Sequence, residues 1–211
     1  MEKRKNVFLR ATMATAIIAI LAILLDSFPY IKTILLVLFI FTVFYYRRTQ
    51  LAVVPAPTKK TLGFDDRLIF FPLYGVFLIV CAFDFFTKPL NIPIALLGGF
   101  LFVVGIYIYS KSINELGKFF STGIEIKQGH KLVQTGPYKY VRHPAYFGGL
   151  IFMAGVAIAS NSFWGIILFA LITVPWYALR IHAEEKMLSE EFGKSFEEYK
   201  KKTKLIIPKI F

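Results

Sequence analysis

The chain has 211 residues, 56% of them hydrophobic and only 18% charged, with a mean hydropathy of +0.61. Soluble domains carry about 45–50% apolar and about 25% charged residues, so this composition excludes a disordered or collagen-like chain and argues against a soluble globule. The net charge of +12 fits nucleic acid or the one-sided basic loops of a membrane protein, and a single cysteine, Cys81, excludes an internal disulfide or a thiolate metal cluster.

Six apolar stretches follow one another, at residues 7–25, 31–46, 68–86, 92–109, 146–159 and 163–179. A spanning helix needs about 20 mostly apolar residues, and these runs lack the period-two alternation of barrel strands. The reading is an all-α integral membrane protein with about six transmembrane helices. The first run has a basic start but no convincing small-residue cleavage site, so it reads as a retained helix rather than a signal. Residues 47–67 form a polar connector with Pro55 and Pro57. In the third run, Cys81 reads as a small buried hydrophobe, and Asp84 as an interfacial carboxylate near the outer surface. Ser160-Asn161-Ser162 joins the last two runs into a tight helical hairpin. Beyond it, Leu188, Phe192, Phe196 and Tyr199 recur at helical spacing opposite Glu190, Glu191, Lys194 and Glu197. This predicts an amphipathic C-terminal helix, packed on the protein or lying on lipid. Lys200, Lys201, Lys202 and Lys204 would favour anionic headgroups there.

Six spans put both termini on one side, and that side carries all but Lys32 and Lys88 of the 25 basic residues. The termini and both large polar segments are therefore expected in the cytoplasm, in the cell membrane of a prokaryote or the endoplasmic reticulum of a eukaryote. This accounts for the charge without nucleic acid, which would need a basic face on a soluble fold. Residues 1–109 form a block of four spans. Residues 110–211 hold a polar cytoplasmic segment, the hairpin and the last helix.

The second region carries the chemistry. Its polar segment contains His130-Lys131-Leu132-Val133, Gly136-Pro137-Tyr138 and Arg142-His143-Pro144-Ala145-Tyr146, and the far arm of the hairpin ends in Arg180-Ile181-His182-Ala183-Glu184-Glu185. A short hairpin brings its ends together, so the two clusters should meet. Arg180 and Glu184 lie four apart on one helix face, a spacing that also suits a plain surface ion pair. His143 ahead of Pro144 suits a helix start. The three histidines lack the spacing of a zinc helix, and no metal is expected. No Gly-x-Gly-x-x-Gly fingerprint, phosphate loop or Gly-x-Ser-x-Gly elbow occurs, which leaves Rossmann, P-loop and serine-hydrolase chemistry without support. The charges crowd at one interface rather than inside the spans, against a transporter.

These motifs, with Leu188 after Glu184-Glu185 and the closing Phe192-Gly193 and Glu198-Tyr199, resemble the signature of the isoprenylcysteine carboxyl methyltransferase family. That family belongs to a wider set of integral-membrane methyltransferases that includes phospholipid N-methyltransferases. The resemblance covers residues 110–202, and the first four spans carry no comparable signature. It implies methyl transfer from S-adenosylmethionine on the cytoplasmic side. The family's cofactor pocket would map onto His130, Lys131, Leu132, Val133, Tyr138, His143, Pro144, Ala145, Tyr146 and Glu184. Its substrate-side arginine would map onto Arg180, the expected catalytic residue. Some members have a cofactor-touching glutamine seven residues before the histidine; here Gly123 stands there, so the contact is missing or is supplied otherwise, for which Gln128 is a candidate. The implied partners are membrane lipids and a lipophilic methyl acceptor that enters from the bilayer between helices. A carboxylate acceptor is already ionised at pH 7 and needs alignment, for which a planar guanidinium is suited. An amine acceptor would need a base such as Glu184 or Glu185. Arg180 thus favours carboxyl methylation. Phospholipid or amine N-methylation, a nicotinamide-dependent reductase and a non-catalytic membrane protein on the same scaffold are the alternatives.

Overall fold

The computed structural model describes residues 56–61 and 67–207. The first two predicted spans, 7–25 and 31–46, lie outside the described residues. Strand β1 (Thr58–Thr61) is followed by helices α1 (Arg67–Thr87) and α2 (Ile92–Leu116), strand β2 (Glu125–Lys127) and helix α3 (Pro144–Ala159). A long helix α4 (Phe163–Phe192) and a short α5 (Lys194–Lys202) complete it. Single 3-10 turns at Gly117–Phe119 and Gly136–Lys139 punctuate the segment between α2 and α3.

Four of the six predicted apolar runs are thus helices. Two, Ile92–Phe119 and Phe163–Phe192, are long and apolar enough to cross a membrane; Phe71–Thr87 and Pro144–Ala159 are apolar but shorter. Leu96, Leu97 and Phe100 on α2 and Ile79 and Phe83 on α1 are exposed, as side chains facing lipid are. Phe77, Cys81, Met153, Ala157 and Tyr177 form the core between α1, α3 and α4.

The boundaries differ from the sequence reading in three instructive ways. Helix α2 continues past residue 109 because its polar residues do not compete with it: Ser110 and Ser112 are buried, and the Ser112 hydroxyl donates to Ile108 O at 2.7 Å. Gly117 ends it instead, with φ of +54° and its N–H on Ile113 O. Helix α4 does not stop at residue 179 but runs on through Arg180 and Glu184. It contains a π turn at Phe169–Thr173, just ahead of Pro175, which has no N–H to return to Leu171. The predicted amphipathic tail is broken at Gly193, whose φ of +50° separates Leu188 and Phe192 on α4 from Phe196 and Tyr199 on α5. Phe196 and Tyr199 are 0% and 4% exposed, so α5 packs on the protein rather than lying on lipid.

Helices α2 and α3 run antiparallel at backbone contact. Gly98 and Gly105 on α2, and Gly148 and Gly155 on α3, share a seven-residue spacing. A Cβ on Gly105 would fall 2.3 Å from Phe152 N, one on Gly148 2.5 Å from Tyr109 N, and one on Gly155 2.5 Å from Phe102 N. Small residues that let helices approach closely are the usual basis of packing in lipid, where burial of apolar surface offers little drive. At the turn of the hairpin, Asn161 adopts φ of +49° and Ser162 caps α4 by accepting from Gly165 N at 2.9 Å. Asp84 is buried there rather than interfacial: Ser162 Oγ donates to it at 2.6 Å and Lys88 pairs with it at 3.1 Å. These contacts tie α1 to the hairpin.

Strands were not expected. Antiparallel β1 and β2 pair Thr61 with Glu125 and Thr58 with Lys127. The Thr58–Thr61 segment, TKKT, has no apolar alternation to announce it. It docks the connector onto the polar segment and, through Lys59–Glu191 and Lys60–Glu190 pairs at 2.6 Å, onto the end of α4.

Candidate functional site

Helix α3 starts and the polar half of α4 lies at the same end of the hairpin, next to the C-terminal end of α2. The segment between α2 and α3 covers that end. Proline at the first turn starts α3, with His143 as the residue before it. Tyr146 then sits one turn in, on the face toward α4. Its ring meets Tyr177 at 5.3 Å and the Arg180 guanidinium lies 5.9 Å from its centroid. Arg180 is 8% exposed. Its Nη2 donates to Thr122 O at 2.7 Å and its Nε to the Tyr146 hydroxyl at 3.4 Å.

Glu184, one turn further along α4, is the electrostatic centre of the cluster. Its charge acts on Tyr146, His130 and Tyr138. Burial holds the His130 imidazole below its ordinary range, against the opposing pull of Glu184 and Glu191, so the ring is neutral at pH 7. It is stacked on Phe119 at 4.8 Å and edged by Phe192 at 5.8 Å. Its Nδ1 is buried and has no hydrogen-bond partner among the described residues. A buried polar atom left unpaired in this way costs free energy unless a ligand supplies the bond. Burial, then the Glu184 charge, push the Tyr138 phenol well above its usual range, so it stays a proton donor.

His143 is used differently. It is 3% exposed, and its Nε2 lies 3.1 Å from Glu185 Oε1, which also accepts from Arg142 Nε at 2.6 Å. Burial alone would raise the Glu185 carboxyl; the His143 and Arg142 bonds and charges override it and hold the group down at about 2. The C-terminal segment clamps the same stretch. Arg142 Nη1 donates to Thr203 O at 2.7 Å, His143 N to Leu205 O at 3.1 Å, and the Tyr199 hydroxyl to Tyr138 O at 2.7 Å.

The remaining sequence candidates divide. Pro144 is fully buried at the start of α3, and Leu132, Val133 and Ala145 are half-buried nearby in the chain, whereas Lys131 is exposed. Gln128, the substitute for the family glutamine, is exposed after β2, its N–H on Pro57 O at 2.6 Å. His182 is also exposed. Sequence reasoning passed over Arg142 and Glu185 as a pair, although both stand in the motifs, and it gave Tyr199 no role. It also missed Ser121 and Glu125, for which the Ser-Thr-Gly turn composition was the available signal.

Comparison with known proteins bears on the chain's relatives and fold. Residues 94–195 match the family model described as phospholipid methyltransferase. The chain is 38% identical over 114 residues to the protein-S-isoprenylcysteine O-methyltransferase of Schizosaccharomyces pombe, covering 53% of this chain and 48% of that one. It is 30% identical over 128 residues to the protein of the same name from Dictyostelium discoideum, covering 60% and 54%. The chain therefore spans about half the length of these curated relatives. Its fold is similar to the solved structure of a eukaryotic intramembrane Ras methyltransferase, isoprenylcysteine carboxyl methyltransferase. That match has a TM-score of 0.58 and 23% identity, and covers 66% of this chain and 53% of that one. Over the hairpin region the chain is thus similar in sequence to phospholipid and isoprenylcysteine methyltransferases, and its helical fold is similar to that of an intramembrane methyltransferase.

Proposed function

We propose that this chain is a multi-pass membrane methyltransferase that uses S-adenosylmethionine to methylate the carboxylate of an isoprenylcysteine-type or similarly lipid-like acceptor. The observation that carries the reading is the gathering of Tyr138, Tyr146 and the unpartnered His130 Nδ1 around Glu184, with Arg180 beside them. The donor set fits the cofactor. When bound, S-adenosylmethionine supplies an electrophilic methyl group on a sulfonium. Glu184 accepts hydrogen bonds from an amino group or ribose hydroxyls. The Tyr138 and Tyr146 rings offer a cation–π face worth about 0.5–2 kcal/mol to a sulfonium. The orphaned His130 nitrogen offers one further hydrogen-bond position. Leu132, Val133, Pro144 and Ala145 supply apolar walls, and Lys131 the rim. His143, tied to Glu185, holds the start of α3 in place and has its second nitrogen left for the cofactor carboxylate.

Arg180 takes the acceptor side. An ionised carboxylate needs no base, only a hold in line with the methyl group, and one guanidinium edge provides it without quenching the nucleophile. The acceptor's chain has a route at hand. Among the described residues, a shallow apolar depression of about 290 Å³ lies along Phe147, Ile151 and Ala154 of α3, with Phe169 and Ile206. It begins one residue past Tyr146 on α3. Helix α3, at 16 residues, rises about 24 Å, less than the roughly 30 Å of a hydrocarbon core, so its polar end falls where a chain in the bilayer and a head at the interface both reach. The basic bias of the connecting segments supports six spans with both termini cytoplasmic.

The test is methyl transfer by the purified protein from isotopically methyl-labelled S-adenosylmethionine to a farnesylated cysteine with a free carboxylate, and to phosphatidylethanolamine. Base-labile methyl ester on the first probe is the expected product. Stable N-methyl product on the second would establish the phospholipid reading that the family model's description suggests. Arg180→Ala abolishes turnover with cofactor affinity within a few-fold, and Glu184→Ala weakens the cofactor. Equal cofactor affinity in wild type and Glu184→Ala would reject the assignment, and binding of NADPH alone would reject methyl transfer.

A further inference from the structure

We infer that Ser121 and Glu125 are positioning residues for Arg180, acting through the peptide group between Thr122 and Gly123. The inference rests on the reading of Arg180 as the acceptor-holding residue. One planar peptide unit carries both the Thr122 carbonyl and the Gly123 N–H. The carbonyl accepts from Arg180 Nη2 at 2.7 Å, and the N–H donates to Ser121 Oγ at 3.1 Å. The Ser121 hydroxyl in turn donates to Glu125 Oε1. Its proton and its lone pair are thus both committed, and the peptide plane cannot rotate without breaking the bond that fixes its N–H. Because the plane is rigid, fixing the N–H aims the carbonyl, and the carbonyl aims the guanidinium.

Glu125 is itself anchored. Lys127 Nζ reaches Glu125 Oε1 at 2.6 Å, and Thr58 of β1 donates to Glu125 Oε2 at 2.7 Å. Lys127 is 6% exposed, and the Glu125 side chain 13%. A buried ion pair is weak evidence for stability but leaves little positional freedom to its members. Glu125 is held below its ordinary range: burial opposes ionisation, and the Lys127, Ser121 and Thr58 bonds outweigh it. The strand pair, unexplained by the cofactor site, thereby gains a purpose. It mounts the arginine of α4 on a fixed main-chain acceptor. Position 123, a glycine, serves here through its backbone N–H.

The experiment compares Ser121→Ala, Ser121→Thr and Glu125→Gln with wild type. It measures kcat and KM for the farnesylated cysteine and, separately, S-adenosylmethionine affinity by calorimetry. Ser121→Ala leaves the Glu125–Lys127 pair in place and frees the peptide. It should lower kcat/KM for the acceptor roughly tenfold or more, since misplacing a positioning group by about 1 Å costs up to about a hundredfold. Cofactor affinity should stay within twofold, and Ser121→Thr should restore activity. In an Arg180→Lys background, Ser121→Ala should add little further loss, because both act on one contact. Equal loss of cofactor affinity, no rescue by Thr, or full additivity with Arg180→Lys would overturn the inference while leaving the reading of Arg180 intact. Undiminished acceptor turnover in Arg180→Ala would overturn both.

Discussion

Glu185 offers the sharpest test of how the site is held together. One of its oxygens, Oε1, serves both Arg142 Nε at 2.6 Å and His143 Nε2 at 3.1 Å. The three side chains are 21%, 11% and 3% exposed. Removing one partner of a fully buried pair costs 3–5 kcal/mol. Here a fifth of the carboxylate meets solvent and Arg142 keeps Thr203 O at 2.7 Å, so Glu185→Ala is expected to cost about 2–3 kcal/mol. The same contacts hold the carboxyl down from 4.5 to about 2 in the fold. The sign is fixed by that descent. The stabilisation is complete above about 4.5 and is lost as pH falls toward about 2. Thermal unfolding of the detergent-solubilised protein should therefore show a midpoint roughly 5–10 °C lower for Glu185→Ala at pH 7. The gap should shrink by roughly half between pH 5 and pH 3, as the wild-type carboxyl takes up its proton. Equal midpoints at pH 7, or a gap that does not narrow on acidification, would refute the reasoning.

Three further outcomes follow from the packing. Gly105→Ala places a methyl group 2.3 Å from Phe152 N, a backbone atom that cannot step aside, so α2 and α3 must part; a loss of about 1–3 kcal/mol is expected by circular dichroism melting, against a control, Gly99→Ala, which meets nothing within 4 Å among the described residues and should not destabilise. Asp84→Ala leaves the Ser162 hydroxyl and the Lys88 ammonium without their carboxylate, and should cost about 1–3 kcal/mol in the same assay with cofactor affinity unmoved, the turn being at the opposite end of the hairpin from the site. Tyr199→Phe removes the 2.7 Å bond to Tyr138 O and should weaken S-adenosylmethionine binding a few-fold in calorimetric titration, at about 1 kcal/mol in stability.

The helices were legible where hydrophobicity alone decides. The runs at 68–86, 92–109, 146–159 and 163–179 are all helices, the one form in which a continuous apolar segment satisfies its backbone by itself. The hairpin was legible from Ser160-Asn161-Ser162, and with it the meeting of Tyr146 with Arg180, whereas His143 pairs with Glu185, which the sequence did not single out as its partner. Helix ends were less so. Ser110 and Ser112 looked like an exit from the membrane but bond back within α2, and helical spacing was followed across Gly193 although a glycine after Phe192 is an ordinary stop signal. Asp84 could not be placed because its partners, Ser162 and Lys88, come from a turn 78 residues away and from its own helix end. The strands were illegible because TKKT is polar throughout and owes its form to a partner across the fold.

A physical division underlies that pattern. The groups proposed to touch cofactor or acceptor are side chains, and chemistry restricts what they are, so His130, Tyr138, Arg180 and Glu184 stand out in the sequence. The groups that aim them are largely main-chain carbonyls: Thr122 O for Arg180, Thr203 O for Arg142, and Leu205 O for the His143 N–H. Every residue type carries a carbonyl, so such a mount leaves no mark on composition or spacing. What can be read is the second tier that fixes those carbonyls, namely Ser121 with Glu125 and the Tyr199 hydroxyl, and only once the fold has brought them together. The end proposed to react is therefore written in the motifs. Its precision is written in contacts from residues 58–61, 121–127 and 199–205, segments that meet only because the hairpin and the strand pair bring them there.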